Sequence, residues 1–146
     1  MAIGLHIQEL HIAAAIGSIR EIEYILRRGA PSVRPTAANV VTSLGFTPLH
    51  VAAMRGNIDA VHTLLQLGGT NNAHTHSVPG ADDPGSTALH LSIARGHASV
   101  AMALLAASAI PNVTNGQQDW PLDICVNNAR YSIYGRLQTN SWLRVS

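Results

Sequence analysis

Lysine is missing from this chain of 146 residues, and all nine of its fixed positive charges are arginine. Average usage would place roughly eight or nine lysines in a chain this long. Two readings of the absence stand side by side. One is a GC-rich coding sequence. The other is selection against modification of the lysine amine, the acceptor for ubiquitin and acetyl groups, which would suit a protein delivered into a host cell. Cysteine is almost missing too. The single Cys125 excludes an internal disulfide framework and a multi-cysteine zinc site, and between Ile124 and Val126 it reads as a buried, inert thiol. Charge is scarce, at 12% of residues and a net +1. That excludes a highly charged disordered tail and any global electrostatic drive towards nucleic acid or an anionic membrane. The longest apolar stretch, residues 100–110, contains Ser108 and falls well short of the roughly 20 residues that span a bilayer. The first 16 residues lack a basic start and carry His6, Glu9 and His11, so they do not read as a secretory signal. The expectation is one domain, 1–146, intracellular and cytoplasmic with the nucleus left open, monomeric, and without a nucleic-acid or membrane partner.

The chain is rich in self-similarity. GFTPLHVAAMRGNIDAVHTLLQLG at 45–68 aligns without a gap on GSTALHLSIARGHASVAMALLAAS at 85–108. The shared frame is G-x-T-x-L-H-x-(A/S)-x-x-R-G, followed by the pairs Leu64-Leu65 and Leu104-Leu105. An upstream copy has Leu10-His11-Ile12-Ala13-Ala14, Gly17, Ile25-Leu26 and Gly29. A degenerate copy begins at Trp120-Pro121-Leu122-Asp123 and reaches Leu137. The anchor leucines Leu10, Leu49, Leu89 and Leu122 are 39, 40 and 33 residues apart. Approximate repeats are therefore 5–30, 45–69, 85–109 and 118–140, with lengthened loops at 31–44 and 70–84.

Each copy predicts a helix–turn–helix unit. Thr47-Pro48 supplies a helix cap and a first-turn proline. Ala13-Ala14 and Ala52-Ala53 permit close helix packing, and Gly17, Gly56 and Gly96 permit a left-handed turn. The second helices carry Ile19, Ile22, Ile25 and Leu26, or Ile58, Val61, Leu64 and Leu65, at helical spacing. One such pair cannot bury its apolar face alone, so neighbours must stack.

These motifs resemble the repeats of ankyrin-repeat proteins from residue 5 to about 137, with the fourth copy as an atypical cap in which Asp123 replaces His and Gly135 interrupts the second helix. The resemblance implies an all-α solenoid with hairpin-like loops that binds a protein through its loop tips and the concave face of its first helices. The family's variable surface positions fall on Leu44, Phe46, Met54 and Arg55, then on Asp83, Pro84, Ser86, Ala94 and Arg95, then on Asp119, Asn127 and Asn128. Phe46, the single phenylalanine, would join Met54 and Arg55 in a mixed patch of the kind favoured at interface hot spots, against the alternative that it packs on its own turn. The resemblance also implies a structural role for His11, His50 and His90, bonded to neighbouring loop backbone.

Other residues that could carry chemistry read more plainly. His74 and His76 with Asp82 and Asp83 have ligands enough for a divalent metal. Asn71, Asn72, Pro79 and Gly80 in the same stretch favour a flexible polar loop, so no metal is assigned. His62 and His97 read as ordinary surface or cap residues, and Arg27, Arg28 and Arg34 as a solvated helix end. No nucleophile elbow, phosphate loop or H-E-x-x-H motif occurs. The expected function is a protein–protein interaction module with no catalysis and no cofactor. The alternatives are an ankyrin segment of a larger, possibly enzymatic protein, with Leu5, Ile7, Ile12, Trp142 and Leu143 as unfinished interfaces, a self-assembling stack, and a host-directed effector or decoy resembling the inhibitors of NF-κB.

Overall fold

In this computed structural model, which describes residues 2–76 and 84–128 and side chains from residue 8, the elements follow the repeat. They are α1 (Ala2–Ile16), α2 (Ile19–Arg27), a 3-10 turn (Pro31–Val33), α3 (Arg34–Ala38), α4 (Pro48–Arg55), α5 (Ile58–Gln66), α6 (Ala88–Ala94) and α7 (Ala98–Ala106). Residues 121–128 are also helical, and no strand occurs among the described residues. The second helix expected for the fourth copy, with Gly135, and the residues Trp142 and Leu143 lie outside the described residues, as do Pro79, Gly80, Asp82 and Asp83.

The TxLH motif builds each inner helix start. Thr47 Oγ1 accepts the His50 N–H at 3.2 Å while His50 Nδ1 accepts the Thr47 N–H at 3.0 Å. This reciprocal box satisfies two donors that a helix start otherwise leaves open. Thr87 and His90 repeat it at 3.4 and 3.1 Å. The first copy lacks the threonine and proline, so nothing stops the chain from winding further, and α1 runs upstream to Ala2.

Two layers result. An inner layer packs α1 on α4 and α4 on α6, and an outer layer packs α2 on α5 and α5 on α7. Ala13, Ala14, Ala52 and Ala53 are fully buried where the inner helices meet, since only small side chains let them approach. Ile22, Leu26, Val61, Leu64, Val100 and Leu104 fill the space between the layers. Leu10, Leu49 and Leu89 anchor successive repeats with at most 1% exposure. The fourth anchor departs from expectation: Leu122 is 66% exposed, and Pro121 is the residue buried there. Cys125 is likewise exposed rather than buried.

The described parts of the lengthened loops, 31–44 and 70–76, are braced. The first folds into the 3-10 turn and α3, which packs on α2 and buries Ala38 completely. Asn39 donates to the Gly68 carbonyl at 2.9 Å and accepts the Thr70 N–H at 2.8 Å. Asn72 does the same duty for the second loop, accepting the Ile110 N–H at 3.0 Å, and Asn71 donates to the Ala107 carbonyl. Each insertion thereby closes the end of the next repeat's outer helix. The expected flexible character of residues 74–76 is corrected by the same token. Thr75 is buried, exchanges bonds with Ser86 through its N–H and Oγ1, and His76 donates its N–H to the Leu44 carbonyl at 2.8 Å.

Candidate functional site

The inner face and its loop tips form the candidate interface, and hydrogen bonds between repeats set its shape. One histidine of each inner helix, in the first turn of α4 and α6 and further along α1, reaches forward. His11 Nε2 donates to the Phe46 carbonyl at 2.8 Å, His50 Nε2 to Ala73 at 2.9 Å and His90 Nε2 to Asp119 at 3.2 Å. The box requires Nδ1 of His50 and His90 to accept, so the neutral Nε2–H tautomer is the one that fits. Burial pushes the pKa of His50 down to about 4, with His74 and His11 adding to the shift and the Ala73 and Ser86 backbone opposing it. Burial also lowers the pKa of His90.

At the other ends of the inner helices, side chains reach backward. Asn57 Nδ2 donates to the Ala14 and Ala15 carbonyls at 3.0 and 2.8 Å. His97 Nε2 donates to the Met54 carbonyl at 3.0 Å. Asn128 Nδ2 donates to Ile93 at 3.1 Å and Ala94 at 3.4 Å. These bonds satisfy the carbonyls a helix end leaves open. The sequence alone gave His97 no such role. Its signal was the position it shares with Asn57, directly after the turn glycine.

The proposed contact residues scatter over this frame. Leu44 is exposed at a tight turn in which Phe46 accepts the Thr42 N–H. Phe46 is half-buried and meets the His50 ring edge-on, centroids 6.0 Å apart. Met54 is half-buried and Arg55 exposed at the far end of α4. The eight residues of α4 separate that pair from Phe46 by about 12 Å, so Phe46 lies just before one end of the helix and the pair at its other end. Ser86 is 3% exposed and bonded to Thr75, which corrects its assignment as a surface contact. Arg95 is exposed after α6. Asp119 is half-buried with its carbonyl taken by His90, and Asn128 is exposed but committed to α6. Asp83 lies outside the described residues.

One exposed position was overlooked. Ile16, 65% exposed, occupies on α1 the position that Arg55 and Arg95 occupy in the next two repeats, six residues beyond the anchor leucine. Ile12, one helical turn earlier, is 58% exposed. Among the described residues, no group of three or more His, Cys, Asp and Glu side chains is placed to hold a metal ion, and no helix is long and apolar enough to cross a membrane.

Residues 8–75 match the family model described as ankyrin repeats in three copies, and residues 84–116 match that of the ankyrin repeat. The chain belongs to the ankyrin-repeat family. It is 36% identical over 110 residues to the ANK repeat-containing protein nipk-1 of Caenorhabditis elegans, covering 73% of this chain and 17% of that one. It is 38% identical over 100 residues to the probable E3 ubiquitin-protein ligase XBOS31 of Oryza sativa subsp. japonica, covering 68% and 20%. It is 26% identical over 111 residues to the human ankyrin repeat and SOCS box protein 3, covering 76% and 20%. This ankyrin-repeat chain thus spans about a fifth of the length of the curated relatives it matches.

Proposed function

We propose that the chain binds one protein partner across the tips and inner face of its stack, without catalysis. Leu44 and Phe46 are the tip contacts, Met54 and Arg55 the far contacts on α4, and Ile16 and Arg95 the flanks. Asp83 belongs to the same tip row by family resemblance, while Asp119 and Asn128 border the surface. The observation that supports this reading is the row Ile16, Arg55 and Arg95, equivalent in three successive repeats and exposed, where packing makes no demand for a large side chain. The reading places the chain inside the cell as a monomer.

The test compares the intact chain with a Phe46→Ala, Met54→Ala, Arg55→Ala variant as baits in intracellular extract, both shown to be folded by circular dichroism. A partner held by the first and lost by the second is the expected result. Equal capture by both removes the contacts from this surface.

A second reading is favoured by the name of the rice relative: the bound protein is brought to a ubiquitin ligase. Under it, the captured partner acquires ubiquitin more slowly when the triple variant replaces the intact chain.

A further inference from the structure

Five of the six described arginines, Arg20, Arg27, Arg28, Arg34 and Arg55, sit where the fold makes no use of a guanidinium that an ammonium could not match. Arg20, Arg27 and Arg55 are exposed. Arg27 makes one contact, at 3.4 Å, with Glu23 one turn earlier, a spacing at which lysine pairs equally well. Arg28 lies over the Tyr24 ring at 5.0 Å, which an ammonium can also do. Arg55 ends α4, where any cation complements the helix dipole. At Arg34, the guanidinium is the costlier choice, because its Nε is buried without a hydrogen-bond partner and a lysine stem carries no such N–H.

Nor does base composition account for the pattern. The chain contains nine asparagines, whose codons differ from those of lysine only at the third base. A GC-rich gene can write lysine with a G-ending codon as readily as it writes asparagine with a C-ending one. What arginine excludes throughout is an amine nucleophile. Its guanidinium stays protonated above pH 12, whereas a lysine amine can be deprotonated and acylated.

We propose that this surface is kept free of lysine because the chain works within reach of an enzyme that transfers ubiquitin, so that its partner is modified and it is not. The inference rests on the second reading above. In the transfer, a lysine amine attacks the thioester carbonyl, the new amide C–N bond forms as the C–S bond breaks, and the enzyme thiolate leaves and takes up the proton that the amine loses. On this chain no side chain supplies that amine.

The experiment restores it without changing charge. Arg20→Lys with Arg27→Lys, both on α2 and away from the proposed interface, is expressed with a lysine-free tag in cells of the organism that carries the gene. Melting midpoints equal to the parent's show that folding is unchanged. The expected result is a ubiquitin ladder and a several-fold shorter half-life for the variant, neither seen in the parent, and both kept when Phe46→Ala and Met54→Ala are added, because those side chains hold the delivered protein and not the transferring enzyme. A variant as long-lived and unmodified as the parent overturns the proposal. So does a ladder on the parent itself. Partner capture is measured in the same cells. A partner held without any ladder removes this inference and leaves the binding module standing.

Discussion

His50 carries two duties that both require it neutral. Its Nδ1 lone pair receives the Thr47 N–H, and its Nε2–H holds the Ala73 carbonyl. Unfolded, it titrates near pH 6.5; folded, near 4. Between those values the unfolded chain binds a proton that the folded chain refuses, so stability is full above about pH 6.5 and declines as pH falls towards 4. The difference amounts to about 3 kcal/mol for His50 alone, and His90 shifts in the same direction. Denaturant melts at pH 7, 5.5 and 4.5 should show midpoints falling in that order, and a flat profile would contradict the neutral-tautomer assignment. Gly56 supplies a second residue-level contrast. Gly56 and Gly96 both adopt left-handed φ, of 73° and 77°. A Cβ at Gly56 would sit 2.6 Å from His97 Nδ1, whereas one at Gly96 meets nothing within 4 Å. Gly96→Ala should cost about 1–2 kcal/mol for the backbone alone, and Gly56→Ala measurably more. Equal midpoint shifts would mean the His97 ring is free to move aside.

At the scale of the element, the bonds that reach backward from Asn57 and His97 join helices that are not consecutive in sequence. Asn57→Ala would leave the last carbonyls of α1 without their donor and should cost about 1–3 kcal/mol, read as a lowered midpoint and faster amide exchange at the α1 end. The inner and outer helices were legible in the sequence because threonine caps, alanine pairs, turn glycines and apolar spacing all point to the same unit. The bracing of residues 31–44 and 70–76 was not, since Asn39 and Asn72 act on backbone about 30 to 40 residues away, and no local pattern encodes such a distance. The candidate surface was legible in part. Repeat position alone nominated Phe46, Met54 and Arg55, and Ser86 was misplaced because its neighbour Thr75 lies in a loop without a repeat frame. Ile16 was passed over because the first copy lacks the TxLH start that makes the others easy to count.

For the whole molecule, the core is continuous through its leucines rather than divided by repeat. Leu89→Ala removes a side chain with 1% exposure at the centre of the third repeat and should cost about 2–5 kcal/mol, a large share of the stability of a small domain. Retention of the parent's melting midpoint would sink the repeat alignment. The two sets of inter-repeat bonds run in opposite directions, forward from His11, His50 and His90 and backward from Asn57, His97 and Asn128. A unit cut from one anchor leucine to the next carries one bond of each kind. A tandem copy of residues 49–88 would therefore arrive with His50 clasping its own Ala73 and with Asn57 to hold the repeat behind it. The gene can lengthen this protein by copying from its middle, and each added length brings its own fastening.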